Sequence, residues 1–198
     1  MVRITSVVLV VLTTMAITAV NQVSAQKKGI VLLGPGDPCP AFANLPGVDG
    51  KNHSLPEYKK DVLVLCVLRN SCPVCLAHTD RHIIDFTKKY GDKVDFVAIY
   101  VSNFNRDEDK LPKIKDRGFS FPCLYDESKA TARSLGAFAT PHFFVFNKER
   151  KLIYKGAMTD NVAKPTVSYL DAATEAGLKG ETPKITHTQP KGSPISGK

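Results

Sequence analysis

One apolar segment, followed closely by two cysteines, constrains the fold of this chain more than any other feature. Residues 62–68 read Val-Leu-Val-Leu-Cys-Val-Leu, which is typical of a β-strand buried on both faces. Apolar residues then recur every three or four positions from Cys75 to Tyr90, which predicts an amphipathic helix with Gly91 at its C′ position. A buried strand that leads into a helix is the basic unit of an α/β fold.

The rest of the chain continues this alternation of strands and helices. We expect a buried strand at 94–101, a helix within 107–117 that begins near Pro112, a short strand at 121–125, a helix at 128–135, a hairpin at 142–146 and 151–155, and a last helix at 166–179. Turn signals between residues 41 and 58 predict a short β-hairpin or meander at the start.

These elements predict one α/β domain over residues 41–180. It would be a sandwich in which helices flank a central mixed β-sheet, with an N-terminal β extension. An extended lead-in at 26–40 and a flexible tail at 181–198, rich in Pro, Gly, Ser, Thr and Lys, would flank the domain.

The first 25 residues have the pattern of an export signal. Arg3 is the only charged residue there, an apolar run extends from Val7 to Val20, and Val-Ser-Ala at 23–25 offers the small side chains that a signal peptidase accepts. Because the run is short and contains three threonines, we expect cleavage after residue 25 rather than a stable membrane span, with an uncleaved anchor as the alternative. The protein is therefore predicted to be exported, to the periplasm or outside the cell, and soluble after cleavage, in a compartment that permits disulfides.

The net charge of the chain is +8, and +7 without the predicted leader, which raises the question of a nucleic-acid partner. The lysines and arginines are scattered, and most of them lie beside acidic residues. The sequence has no basic stripe interleaved with aromatic residues, and export would separate the protein from nucleic acid. We therefore predict no nucleic-acid partner.

The motif Cys72-Pro73-Val74-Cys75 is the main candidate for chemistry, because it follows a buried strand and opens a helix. Unpaired N–H groups and a partial positive charge at a helix N-terminus favour a thiolate, which is the form of cysteine that attacks disulfides. A second cysteine one helical turn later is close enough to resolve a mixed disulfide, and proline suits the first helical position. The motif therefore predicts a redox-active dithiol.

A zinc site and a structural disulfide are the alternatives to a redox-active dithiol. His78 and His82 are the candidates for further zinc ligands, but ligands along a single helix do not converge on one tetrahedral ion. We therefore expect both histidines to face solvent and predict no metal site. A haem attachment motif is absent because Leu76, rather than a histidine, follows Cys75.

Thr140-Pro141, directly before a predicted strand, is the second feature of interest. Proline is tolerated at the start of a strand, and a cis bond there would bring backbone close to the dithiol.

A Cys-x-x-Cys dithiol after a buried strand, with Thr-Pro before a later strand, makes the chain resemble the thioredoxin superfamily. Five further stretches resemble the redoxin branch of that superfamily, which includes the alkyl hydroperoxide reductase/thiol-specific antioxidant proteins and the exported thiol–disulfide oxidoreductases. These stretches are Gly-Asp-Pro-Cys-Pro-Ala-Phe at 36–42, Asp-Gly-Lys at 49–51, Ser-Leu at 54–55, Phe-Pro-Cys-Leu-Tyr-Asp at 121–126 and residues 140–161. The resemblance covers about residues 36–179.

This resemblance implies a thioredoxin-like fold and a thiol–disulfide oxidoreductase in which Cys72 is the nucleophile and Cys75 the resolving thiol. Thr140 and Pro141 would border the substrate groove, and no cofactor is implied. The expected partners are protein disulfides or thiols, or a peroxide, together with a thiol reductant or oxidant.

Two departures from the peroxiredoxin pattern bear on the substrate. Peroxiredoxins carry Thr or Ser three residues before the peroxidatic cysteine and a proline further upstream, whereas this chain has Arg69 and Leu65 there. A peroxiredoxin-like thiol peroxidase with antioxidant activity is therefore an alternative function. A non-enzymatic redoxin-fold protein that binds metal through Cys72, Cys75 and a histidine is another. Arg69, as a nearby cation, is a candidate for supporting the Cys72 thiolate.

The chain has five cysteines, so they cannot all pair with one another. Cys66 lies in the middle of the predicted buried strand and is expected to be a core residue. Cys39 and Cys123 are possible accessory thiols. They could pair with each other, or Cys123 could exchange disulfides with Cys72.

The end of the chain contains one further motif. Residues 192–195 read Gly-Ser-Pro-Ile and resemble a Gly-Cys-x-Ile ending found in some relatives. Ser193 stands in the position of the cysteine. We therefore expect no thiol from the tail to assist the dithiol.

Overall fold

A five-stranded mixed β-sheet forms the centre of the protein, for which a computed structural model describes residues 33–196. The strands are β1 (Leu45–Pro46), β2 (Asn52–His53), β3 (Val62–Leu68), β4 (Val94–Tyr100), β5 (Cys123–Tyr125), β6 (Ala139–Thr140), β7 (His142–Phe146), β8 (Leu152–Gly156) and β9 (Ser193–Pro194). The helices are α1 (Pro73–His78), α2 (Ile84–Tyr90), α3 (Leu111–Lys115), α4 (Ala130–Ser134) and α5 (Tyr169–Leu178). A π-helical segment at Thr79–Ile83 joins α1 to α2, and 3₁₀ turns occupy Leu55–Glu57 and Asp107–Asp109.

The strand order in the central sheet is β5-β4-β3-β7-β8. β3 is parallel to β4 and β4 to β5, whereas β7 is antiparallel to both β3 and β8. All seven residues of β3 are buried, because apolar clusters cover both faces of the sheet. The α/β class, the mixed sheet and the doubly buried first long strand are confirmed.

The N-terminal β extension is a hairpin of β1 and β2, in which Leu45 lies opposite His53. Gly47, within its turn, forms an isolated antiparallel bridge with Leu124 of β5. The hairpin therefore lies at the β5 edge of the central sheet.

The helical segment that follows β3 ends at Tyr90, directly before Gly91, as predicted. Gly91 is however the C-cap rather than the C′ residue, and its φ of −53° and ψ of −31° are right-handed. The Lys60 ammonium donates to the carbonyl oxygen of Gly91, and Lys93 N donates to Tyr90 O at 2.8 Å. Because these donors satisfy carbonyl groups at the helix end, no left-handed residue is needed there.

The last helix begins three residues later than predicted, at Tyr169, with Ser168 as its N-cap. The backbone N–H groups of Thr166 and Val167 donate to the Asp160 carboxylate at 2.9 and 3.0 Å. These two residues therefore belong to a turn built on Asp160 rather than to the helix.

The residues after α5 lie against the domain, in contrast to the flexible tail that the composition predicts. Lys155 N donates to Thr186 O at 3.1 Å, and Thr188 N donates to Lys155 O at the same distance. Further along, β9 pairs antiparallel with β6. Backbone groups make these bonds, and amino-acid composition carries no signal for them.

The predicted leader at 1–25 lies outside the described residues, as does the first part of the lead-in. Within residues 33–196, no helix is long and apolar enough to cross a membrane.

Candidate active site

Cys72 is the N-cap of α1, at the end of the turn that follows β3. Cys72 N donates to Arg69 O at 3.2 Å and closes this turn. Pro73 takes the first helical position, where no N–H partner is required. The backbone N–H of Cys75 then donates to Cys72 Sγ at 3.4 Å, which places the first sulfur over the start of the helix.

The two sulfurs of the dithiol differ strongly in acidity. The pKa of Cys72 is lowered to about 4, chiefly by a hydrogen bond with the Cys75 side chain and further by hydrogen bonds with Ser193, which outweigh the opposing effect of burial. Burial raises the pKa of Cys75 well above its usual value, and the neighbouring Cys72 raises it further. At neutral pH the pair therefore holds one thiolate, on Cys72, and one thiol, on Cys75.

We expect the Cys72 thiolate to persist in the folded protein down to about pH 4. Because its pKa is lowered to about 4, Cys72 is deprotonated above that pH and gains a proton below it. The difference in thiolate ultraviolet absorbance between the parent and Cys72→Ser, titrated from about pH 3 to 10, should have its midpoint near 4. In denaturant the midpoint should return to about 8.5, and a folded-state midpoint above about 7 would contradict the assignment.

Thr140 and Pro141, expected at the substrate groove, lie beside the dithiol. Their peptide bond is cis, and the Thr140 carbonyl oxygen lies 3.3 Å from Cys72 Sγ, where it accepts from the protonated thiol. Ser193 Oγ of β9 lies 3.3 Å from the same sulfur. Cys72 therefore lies between the helix start, the Thr140 carbonyl group and the end of the chain.

Arg69, the expected cation beside the thiolate, is directed to the end of the chain. Its Nη1 donates to Pro194 O at 3.4 Å, and its Nε is buried without a hydrogen-bond partner among the described residues. The hydrogen bonds that lower the pKa of Cys72 come from Cys75 and Ser193.

The structure does not bring Cys39 and Cys123 together. Cys39 belongs to the apolar cluster on one face of the sheet, and Cys123 to the cluster on the other face. Burial raises the pKa of each thiol to about 12. Cys66 is fully buried in the middle of β3, and all five cysteines are free thiols.

Asp109, a residue that the sequence analysis did not single out, holds the turn before Cys72. Its buried carboxylate accepts from Ser71 N at 2.7 Å, from Ser71 Oγ at 2.9 Å and from Ser102 Oγ at 3.2 Å. It thereby ties the loop after β3 to the loop after β4. In the sequence it is one of several acidic residues in a polar stretch, and nothing local distinguishes it.

The two histidines of the helical segment have different environments. His78 is buried with its ring 6.2 Å from that of Phe143, so the expectation that it faces solvent is wrong. His82 is partly buried, and its Nε2 lies 2.7 Å from Val162 O. Within residues 33–196, no three His, Cys, Asp or Glu side chains are grouped to hold a metal ion.

Three solved structures place this geometry among known proteins. A hypothetical protein from Sinorhizobium meliloti 1021 is 28% identical and aligns over 83% of this chain and 95% of its own, with a TM-score of 0.74. The pneumococcal exposed lipoprotein thioredoxin from Streptococcus pneumoniae is 26% identical and aligns over 71% of this chain and 99% of its own, with a TM-score of 0.52. A protein described as thiol:disulfide interchange protein DsbE, from Chlorobium tepidum, shares the fold. It is 22% identical and aligns over 63% of this chain and 85% of its own, with a TM-score of 0.55.

A search of curated proteins gives no match. The sequence pattern of the Redoxin family matches residues 34–173, which include β1 to β8, the dithiol and Thr140-Pro141. The predicted relationship to the redoxin branch of the thioredoxin superfamily is confirmed. The chain belongs to the Redoxin family.

Proposed function

We propose that this protein is an exported thiol–disulfide oxidoreductase, in which Cys72 is the nucleophile and Cys75 the resolving thiol. The observation that carries the proposal is the asymmetry of the dithiol, with a thiolate on Cys72 and a thiol on Cys75 at neutral pH. An attacking thiolate and a protonated partner one turn away are the two groups that exchange requires. The Redoxin match and the fold shared with thiol–disulfide oxidoreductases support this proposal.

In the reducing direction, the Cys72 thiolate attacks one sulfur of a substrate disulfide. A Cys72–substrate disulfide forms, the substrate S–S bond breaks, and the other substrate sulfur leaves as a thiolate. The Cys75 thiol then loses its proton, attacks Cys72 Sγ and releases the second substrate thiolate. The substrate gains two electrons and the protein loses two, so an external thiol reductant must restore the dithiol.

Two features support export. The first 25 residues have the pattern of a cleavable leader, and one relative of similar fold is described as an exposed lipoprotein. In an oxidising compartment, protein disulfides are available as substrates.

We expect Cys75→Ser to accumulate a mixed disulfide through Cys72. The variant keeps the attacking thiolate but lacks the group that resolves the intermediate, so a disulfide-containing peptide should become bound one-to-one. Mass spectrometry before and after reduction measures the adduct, and peptide mapping locates it. Cys39→Ser, which makes the same chemical change at a thiol outside the dithiol, is the control and should release product as the parent does.

Two results would overturn this proposal. One is an adduct on a cysteine other than Cys72. The other is peroxide consumption that is lost in Cys72→Ser but retained in Cys75→Ser, which would assign a peroxidase with a different resolving thiol.

A further inference from the structure

The last described residues, 192–196, lie directly over the reactive sulfur, and we refer to them as the tail strand. Thr140 is paired with Ser193 and Ala139 with Pro194, in antiparallel register. Ile195 N extends this pairing by donating to Phe138 O at 2.9 Å. The segment before Pro141 is therefore the first wall of a slot that holds the tail strand.

Polar side chains from other loops form the opposite wall. Asn103 Nδ2 donates to Pro194 O at 3.0 Å, and Asn103 Oδ1 accepts from Ser196 N at 3.1 Å. Lys129 Nζ donates to Ser196 O at 3.0 Å. One asparagine side chain thus bonds a C=O and an N–H two residues apart, as a neighbouring strand would.

Almost all of these bonds are made to the backbone of the tail strand. A site that binds an extended backbone accepts many sequences, and side-chain pockets then decide among them. Two positions are selective here. A Cβ atom on Gly192 would overlap the Thr140 carbonyl oxygen and press on Pro141, and Ile195 packs against the apolar cluster on one face of the sheet.

The tail strand also lies against Cys72, the proposed nucleophile. Cys72 is 0% exposed, although its pKa is that of a reactive thiolate. Attack on a disulfide needs a direct approach to the sulfur, and Ser193 Oγ lies 3.3 Å from Cys72 Sγ. The tail strand must therefore leave before Cys72 can react.

We propose that the tail strand is a built-in cover of Cys72, which occupies the expected substrate groove and which a polypeptide substrate displaces. This inference rests on the proposed function and names the regulation of its site. The reacting cysteine of the substrate takes the position of Ser193, a glycine precedes it, and an apolar residue follows two positions later.

Two exposed aromatic residues are sequence neighbours of residues that form the slot. Phe104 is 81% exposed and adjoins Asn103, whereas Phe138 is 46% exposed and adjoins Ala139. They stand next to the two walls of the slot, in a protein that otherwise buries most of its phenylalanines. Exposed aromatic residues at such positions favour a polypeptide over a small solute.

The first test measures whether the tail strand covers Cys72. In a Cys75→Ser background, the Cys72 thiolate attacks dipyridyl disulfide, forms a Cys72–thiopyridyl disulfide and releases one thiopyridone, whose absorbance gives the rate. We expect Gly192→Ala to react at least about tenfold faster than the parent, because the added methyl group expels the tail strand. Gly34→Ala, where a Cβ would make only an ordinary 3.5 Å contact, is the matched control and should react as the parent does.

The second test measures what the emptied slot accepts. The probe is a synthetic peptide with the sequence of residues 188–196, in which cysteine replaces Ser193 and carries a thiopyridyl disulfide. Cys72 of the Gly192→Ala, Cys75→Ser chain attacks the peptide sulfur and releases thiopyridone. We expect this peptide to react at least about tenfold faster than the same peptide with alanine in place of its glycine. Adding Asn103→Ala should slow the reaction of the glycine peptide. Adding Lys129→Ala should slow it more weakly, and this variant takes the place of Asn103→Ala if that one fails to fold.

The two tests separate this inference from the proposed function. Equal, rapid reaction of dipyridyl disulfide with the parent and Gly192→Ala would overturn the covering role of the tail strand and leave the exchange function standing. Equal rates for the glycine and alanine peptides would overturn the slot as a polypeptide site. A Cys72 that stays unreactive in every folded variant, but reacts when unfolded, would overturn the exchange function itself.

Discussion

Cys72→Ser is expected to lower the rate of thiol–disulfide exchange at least about a thousandfold, because it removes the attacking thiolate. No other described cysteine can substitute for it. Burial raises the pKa of Cys39 and of Cys123 to about 12, and burial raises those of Cys66 and Cys75 well above their usual value. These thiols are therefore protonated at neutral pH, and a thiol attacks far more slowly than a thiolate.

The measurement is the rate at which the reduced protein separates a fluorescent peptide from a disulfide-linked quencher. Cys39→Ser is the matched control, because it is the same substitution at a thiol that is almost buried and lies in the other apolar cluster. It should retain the parent rate. Residual exchange above about a tenth of the parent rate in Cys72→Ser would show that another sulfur attacks and would remove Cys72 from its proposed role.

The low pKa of Cys72 also bears on the direction of exchange. Whatever stabilises a thiolate stabilises the reduced form of a dithiol and makes the corresponding disulfide a stronger oxidant. Hydrogen bonds with Ser193 contribute to this stabilisation. Displacement of the tail strand therefore both exposes Cys72 and weakens its preference for the reduced form.

The local parts of the site could be predicted from sequence because their signals are short. An unbroken apolar strand, a proline after the first cysteine and a proline before the next strand fix where Cys72, Cys75 and Pro141 lie. Parallel pairing of β3 and β4 then brings the loops that follow both strands to one edge of the sheet, where sites in α/β folds form.

The contacts that complete the site could not be predicted, because they join residues far apart in the chain through single polar groups. Ser193 and Cys72 are 121 positions apart, and Asp109 and Ser71 are 38 apart. Ser193 was recognised as the replacement of a cysteine, but nothing in the sequence indicates that its hydroxyl group still lies at the reactive sulfur. The polar composition of the tail predicts flexibility, whereas its backbone pairs with a short strand.

His142, the first residue of β7, has an unusual environment for an ionisable side chain. It is 1% exposed, its ring lies 4.3 Å from that of Phe144 and 5.3 Å from that of Phe138, and neither ring nitrogen has a hydrogen-bond partner among the described residues. Burial, with smaller contributions from Lys155 and His187, lowers its pKa to about 3. The folded protein therefore holds a neutral imidazole at any pH above about 3.

We expect His142→Leu to stabilise the protein, and to do so more strongly in acid. At neutral pH the substitution removes two unpaired buried polar atoms, which cost about 1–3 kcal/mol each. In the unfolded chain His142 gains a proton below about pH 6.5, whereas in the folded protein it does not. Protonation of this residue therefore lowers the unfolding free energy of the parent as the pH falls, and the leucine variant lacks that loss. The difference in unfolding free energy should grow by about 2 kcal/mol between about pH 7.5 and 5, measured by urea denaturation.

A matched substitution tests whether burial is the cause of this acid effect. His187→Leu makes the same change at an exposed position of the residues that follow α5, so it reports how much of the acid effect comes from replacing a histidine that is not buried. A pH-independent difference between His142→Leu and the parent would mean that the imidazole is not held neutral by the fold. Because His142 follows Pro141 directly, such a result would also mean that this end of β7 opens to water, whereas the expected growth in acid would show that the strand beside the dithiol remains closed.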